Sequence, residues 1–164
     1  MYLKEMQIRN FRNFHKAKFV FQKGVNVIIG ENDSGKTNAL QAIRLILDRR
    51  LNWYEKEITE EMFSDYLKNW KGHVIVISLR FGELDISNEE QAMLRYITGS
   101  DKNEGSLTWF CIPDTITRKK IEKASAEKKL SDVLDSLTID NYVSFVTCGS
   151  DIDLSLIHIS EPTR

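Results

Sequence analysis

The stretch "VNVIIGENDSGKTNALQAIRLIL", Val25 to Leu47, decides how this chain is read. Its opening is a nearly continuous apolar run closed by Gly30, the pattern of a strand buried on both faces. Its second half sets Ala39, Leu40, Ile43, Ile46 and Leu47 at helical spacing from about Lys36 onward. Between the two, Gly30, Gly35, Lys36 and Thr37 fit G-x-x-x-x-G-K-[ST] without a mismatch. The spacing has a mechanism. Glycines let a loop wrap so tightly that backbone N–H groups converge as an anion nest. The helix that begins there adds the positive end of its dipole. The Lys36 ammonium is then placed for the β- and γ-phosphates of a nucleotide, and the Thr37 hydroxyl for Mg2+. Glu31, Asn32, Asp33 and Ser34 complete the expected loop, and Asn32 and Asp33 tolerate unusual backbone angles. Nucleotide phosphate binding is the expectation.

Two strands are expected before this stretch. "YLKEMQIRNF" carries Met6 and Ile8 on one face, and "AKFVF" puts Ala17, Phe19 and Phe21 opposite Lys18 and Val20. Lys23-Gly24 is a turn signal. After the stretch, Arg49 and Arg50 stand where cations favour a helix C-terminus. "TEEMFSDYLKNW" predicts a second helix, capped by Thr59 with Glu60 and Glu61 in its first turn. "HVIVISLRF" predicts a strand with Ile75, Ile77, Leu79 and Phe81 on one face and Val74, Val76, Ser78 and Arg80 on the other. "SNEEQAMLRYIT" begins with a capping-box pattern, Ser87 to Glu90. "GSLTWFCIP" predicts a strand stopped by Pro113, and "YVSFVTC" a last strand. Between them, a charged helix is expected from Thr117 to about Leu137, with a sparse stripe of Ile121, Leu130, Val133, Leu134 and Leu137. The sum is an α/β fold: a P-loop core with an antiparallel β-subdomain.

At 164 residues the chain suits one domain. Hydrophobic residues at 41% and charged residues at 29% argue against wholesale disorder. A net charge of -1 excludes a global basic field of the kind that attracts nucleic acid. The run "RKKIEKASAEKK" interleaves Glu122 and Glu127 and lacks aromatics, so it reads as a solvated helical face. Glu83, Asp85, Glu89 and Glu90 read as a solvated turn and a helix start. Cys111 and Cys148 are far apart and form no metal-like pair, which points to two reduced, buried thiols in a cytosolic protein. No apolar run approaches the roughly 18–20 residues of a membrane span, so no membrane partner is expected. The N-terminus lacks the apolar core of a secretion signal, and a cytoplasmic location is expected.

"IRNFRNFHKAKFVF" followed by "GVNVIIGENDSGKTNAL" resembles the ATP-binding-cassette ATPases of the RecF, SMC and OLD (overcoming lysogenisation defect) group. The resemblance covers about Met1 to Asp48. "WYEKEITEEMF" with "VIVISLRFGELDISNEEQAML" looks most like the OLD branch. The resemblance implies ATP and Mg2+ as cofactors. It implies a second ATPase head and DNA as partners, and a role in repair, recombination or phage defence. It implies that Arg12, with Asn13 beside it, contacts nucleotide phosphate, and that Asn38 helps fix the helix start. The chemistry of Arg12 stands independently, since a guanidinium presented on the strand next to the phosphate loop offers fork geometry to phosphate oxygens. A P-loop kinase or GTPase is the competing enzyme reading, and two strands ahead of the loop argue against it. A nucleotide-binding chain without turnover is the third.

The group's hydrolytic machinery needs an apolar strand ending in Asp, a following Glu, a glutamine loop and a signature loop from a second protomer. "YVSFVTCGSD" ends in Cys148-Gly149, and "VIVISLRFGELD" carries Arg80 and Gly82 where the acid should stand. Gln91 falls inside a helical pattern. No catalytic residue is therefore assigned. The final "LSLIHISEPTR", Leu154 to Arg164, resembles the translated end of a transposase sequencing adapter, so it is set aside as non-native together with His158. Residues 1–153 are then expected to be the N-terminal part of an ATPase domain. The rest, with a Toprim-type nuclease domain in OLD proteins, would lie in a longer gene product.

Overall fold

The computed structural model describes residues 1–32, 34–48, 57–98 and 103–148. Asp33, Arg49, Arg50 and the tail 154–164 fall outside them. The strands are β1 (Tyr2–Phe11), β2 (Phe14–Val20), β3 (Ile75–Gly82), β4 (Gly105–Pro113) and β5 (Tyr142–Cys148). The helices are α1 (Lys36–Leu47), α2 (Glu89–Thr98), α3 (Thr115–Ala126) and α4 (Leu130–Asp135). The strands form one five-stranded sheet in the order β2-β1-β3-β4-β5, and every neighbouring pair is antiparallel.

Period-two alternation builds the core. Ile8 lies beside Ile77, Met6 beside Leu79, and Ile77 beside Trp109. Met6, Ile8, Ile75, Ile77 and Leu79 are all fully buried. Full burial of such a side chain contributes roughly 1.5–3 kcal/mol. α1 lies on the same face through Ala39, Ala42 and Leu45, two of which are small enough to bring the helix backbone close. The opposite face is apolar at one end, with Val74, Val76, Phe110 and Ile112, and Phe110 stacks on Phe145 at 5.5 Å. Farther along that face Thr108 donates to Ser78 at 3.0 Å. α3 and α4 cover the apolar end, leaving a cavity of about 410 Å³ between Val74, Ile112, Ile121 and Leu134.

Several expectations change. Val25 to Ile29 form no strand, and Val25, Val27 and Ile29 are 94, 75 and 89% exposed. An apolar run is buried on both faces only where strands flank it, and no described strand pairs with this one. In α1 the buried stripe is narrower than the apolar spacing suggested, because Leu40 and Leu47 face outward. The second helix reduces to one 3-10 turn, Glu60–Met62. Met62, Phe63 and Ser64 are buried in succession, so the segment is threaded into the core instead of laying one face on it. Its backbone bonds go to the β1–β2 turn: Arg12 N donates to Met62 O, and Ser64 N to Asn10 O. The expected helix from Thr117 starts at Thr115, capped by Asp114, and breaks after Ala126. There Lys128 adopts φ 57 and Lys129 N donates to Ala124 O, a C-cap of the Schellman kind. At α2 the cap is Asn88, whose Oδ1 accepts from Gln91 N at 3.2 Å, and not Ser87. Ser87 instead bonds Asp85 Oδ1.

Candidate functional site

The candidate site lies where the β1–β2 turn meets the start of α1. Phe11 ends β1 fully buried and pairs with Phe14 of β2, so Arg12 and Asn13 form the turn. Arg12 thus sits in a turn at the strand end and not within a strand. Its φ of 48 is left-handed, costly for a residue with a Cβ. Neighbouring chain holds it there: Arg12 N donates to Met62 O at 2.9 Å, and Asp65 N donates to Arg12 O at 3.1 Å. Asn10 secures the approach by donating to Val74 O at 3.0 Å.

Gly30, Glu31, Asn32, Ser34 and Gly35 form the loop before α1, with Ser34 N donating to Glu31 O at 3.3 Å. Both motif glycines answer to space. A Cβ on Gly30 would stand 2.6 Å from Ser34 Oγ, and one on Gly35 would stand 2.2 Å from Asn13 Nδ2. Gly35 also adopts φ 94, which favours glycine. Gly35 is the N-cap of α1 and offers no side-chain cap; the first intrahelical bond runs from Ala39 N to Gly35 O at 2.9 Å. No side chain among the described residues caps the first-turn N–H groups, an arrangement that suits an anion. Lys36 Nζ donates to the carbonyls of Gly30 at 2.7 Å and Glu31 at 2.5 Å, folding the ammonium over the loop. The Thr37 side chain is exposed at the same helix start.

The two segments are joined by amide chemistry. Arg12 Nη1 donates to Asn38 Oδ1 at 3.5 Å, at the long end of hydrogen bonding. Asn38 Nδ2 donates to Asn13 Oδ1 at 2.9 Å. The Arg12 Nε is buried without a hydrogen-bond partner. Of the expected site residues, the structure brings Arg12, Asn13, Gly35 and Asn38 into contact, places Gly30 and Glu31 in the adjoining loop, and bonds Lys36, the first residue of α1, to that loop's carbonyls. Asp33 lies outside the described residues.

The Asn13–Asn38 bond and the 60–65 clamp on Arg12 escape sequence reasoning. The only signal for the first is the amide residue directly after each motif. The second is masked by Phe63, Leu67 and Trp70, whose spacing mimics a helix. No cluster of three or more His, Cys, Asp or Glu fit to hold a metal occurs among the described residues. Glu83 pairs with Lys23, and Asp85 is held below its usual carboxylate range by the Ser87 hydroxyl and N–H. Gln91 Oε1 accepts from Asp85 N at 2.8 Å. Asp114 directly follows β4, but its carboxylate accepts from Thr117 N at 2.7 Å and caps α3. Burial pushes the Cys111 thiol up to about 12, so it is protonated and unreactive at neutral pH. No helix among the described residues is long and apolar enough to cross a membrane.

A DNA replication and repair protein RecF from Caldanaerobacter subterraneus subsp. tengcongensis is 56% identical over 46 residues, which is 28% of this chain and 13% of that protein. RecF of Bacillus thuringiensis strain Al Hakam is 48% identical over 46 residues, again 28% of this chain and 12% of that protein. The match thus takes in a small share of the relatives' length. A solved structure from work on "ATP-driven dimerization and DNA stimulated activation of SMC ATPases" aligns with 70% of this chain and 65% of its own, at 21% identity and a TM-score of 0.48. The family model described as an AAA ATPase domain matches residues 1–148, nearly the whole chain, and this protein belongs to that family.

Proposed function

We propose that this chain grips ATP and Mg2+ at the junction of the β1–β2 turn and α1. Gly30, Glu31, Asn32, Asp33, Ser34 and Gly35 supply backbone N–H groups to the phosphates. Lys36 and Arg12 supply positive charge, Thr37 ligates Mg2+, and Asn13 and Asn38 hold the frame. The observation that carries this reading is the contact between separate elements: a turn residue, Asn13, lies against Gly35 and binds Asn38. An arginine is thereby fixed beside the phosphate loop. Among the described residues Lys36 bonds two neutral carbonyls there, and phosphate oxygens compete well because charge-assisted hydrogen bonds are about twice as strong. Titration calorimetry with Mg-ATP and Mg-GTP tests the reading. Binding that favours ATP and is lost in Lys36→Ala supports it. GTP preference would favour the GTPase alternative, and equal heats from both proteins would defeat it.

For the longer protein we propose an ATPase acting on DNA in repair, recombination or phage defence. ATP would join two heads, and an OLD-like arrangement would add a C-terminal nuclease. Two features support a role for further chain or a second head. Val25, Val27 and Ile29, just ahead of the loop, and Leu40 and Leu47 on α1 are large apolar side chains left exposed. Asp114, the acid that directly follows β4, is engaged as a helix cap. The chain by itself therefore binds nucleotide without turning it over. The tail 154–164 contributes nothing to this function, and its deletion should leave the thermal midpoint unchanged.

A further inference from the structure

We propose that Asn38 is a positioning residue for Arg12, and that Asn13 registers the pair against the phosphate loop. The proposal rests on the reading of Arg12 as a phosphate ligand. The backbone of Arg12 is held on both sides, by Met62 O and Asp65 N, and its left-handed φ of 48 fixes the direction in which the side chain leaves. Beyond Cβ the control is slight. Among the described residues, Nε is buried without a partner, the guanidinium carbon stands 5.8 Å from the Phe11 ring centre, and the fork meets one acceptor, Asn38 Oδ1. An arginine fork delivers its full effect on phosphate only when it is pre-aimed.

Asn38 serves that purpose from the first turn of α1. Its carbonyl oxygen faces the guanidinium, and its NH2 is turned the other way by Asn13 Oδ1. Asn13 completes the chain by occupying the space that a Cβ on Gly35 would take. A shift of the loop at Gly35 therefore moves Asn13, then Asn38, then Arg12. The phosphate loop and the arginine are aimed as one unit, although the bond between Arg12 and Asn38 spans 26 positions of sequence.

A double-mutant cycle on the whole chain tests this with Mg-ATP as the probe. Asn38→Ala should weaken binding about 2- to 12-fold, the range of one net hydrogen bond. The same substitution in an Arg12→Ala background should cost nothing further, and Asn13→Ala should behave alike. An equal loss in both backgrounds would show that Asn38 acts only on the helix start, and would overturn the proposal. A second measurement needs no nucleotide. In 1H–15N spectra of the unliganded chain, Arg12→Ala should shift the side-chain NH2 signals of Asn38 and Asn13, and Asn38→Ala should shift the Arg12 Nε–H signal. Unmoved signals would refute the network. If the unaltered chain bound no ATP while these signals shifted as expected, the phosphate reading of Arg12 would fall and the network would stand.

Discussion

Ile75, Ile77 and Leu79 are fully buried, while Val25, Val27 and Ile29 are 94, 75 and 89% exposed. Both segments are short runs of β-branched and aliphatic residues, and by composition either could be a central strand. β3 has β1 on one side and β4 on the other, each paired over its length. The 25–29 run has no strand beside it among the described residues, and Asn26 ties itself to the preceding turn, donating to Gln22 O at 2.8 Å and accepting from Gln22 N at 2.9 Å. Apolarity proposes a strand, and neighbours that take up its backbone hydrogen bonds and cover its faces make it one.

The strongest way to break this comparison is to cut equivalent side chains from both segments. Ile77→Ala should lower the unfolding free energy by about 2–5 kcal/mol, since the surrounding row can collapse only in part. Urea titration reads this directly, and a loss under 1 kcal/mol would show that the sheet is less closely packed than the burial implies. The next largest effect lies at the junction. Arg12→Ala should weaken Mg-ATP binding by roughly 1–3 kcal/mol, through the loss of charge-assisted hydrogen bonds. Affinity equal to that of the unaltered chain would remove Arg12 from the site.

A smaller effect concerns pH. Burial works to raise the carboxyl of Glu5, but hydrogen bonds from Lys18 and Gln7 outweigh it and hold the group below its ordinary value. A depressed carboxyl contributes stability that is complete above its unfolded pKa and lost as pH falls through the folded one. The loss therefore belongs to the acid limb, below about pH 4. Denaturant midpoints measured across that limb should fall less steeply in Glu5→Gln, and identical slopes would refute the assignment. The smallest effect is the counterpart of the first: Val27→Ser should change stability by less than about 0.5 kcal/mol, as for an exposed site without special contacts. A large loss would mean that the 25–29 run is buried in solution.

The sheet was legible in the sequence because each face repeats with period two, and Ile75, Ile77, Leu79 and Phe81 separate from Val74 and Val76 as the alternation requires. The phosphate loop was legible because its pattern is local, and at Gly35 a left-handed φ and the Asn13 side chain at the Cβ position both call for glycine. What stayed hidden was set by distant partners. The 60–65 segment gives up helical hydrogen bonds for bonds to Asn10 and Arg12, a choice made by the β1–β2 turn and not by its own residues. The break at Lys128 places a lysine where glycine is usual, so composition gave no warning. The Asn13–Asn38 bond links positions 25 residues apart and follows from no local period.

On the function proposed above, this chain holds phosphate through Lys36, Thr37 and Arg12 without completing hydrolysis, which also requires an acid to orient water and a clamp to stabilise the transition state. The most direct test is a phosphate-release assay on monomeric chain saturated with Mg-ATP, beside Lys36→Ala. The account predicts ATP binding by the unaltered chain with phosphate release no faster than in the Lys36→Ala control. Release that is clearly faster and disappears in that control would contradict it, and would place the missing acid within this chain.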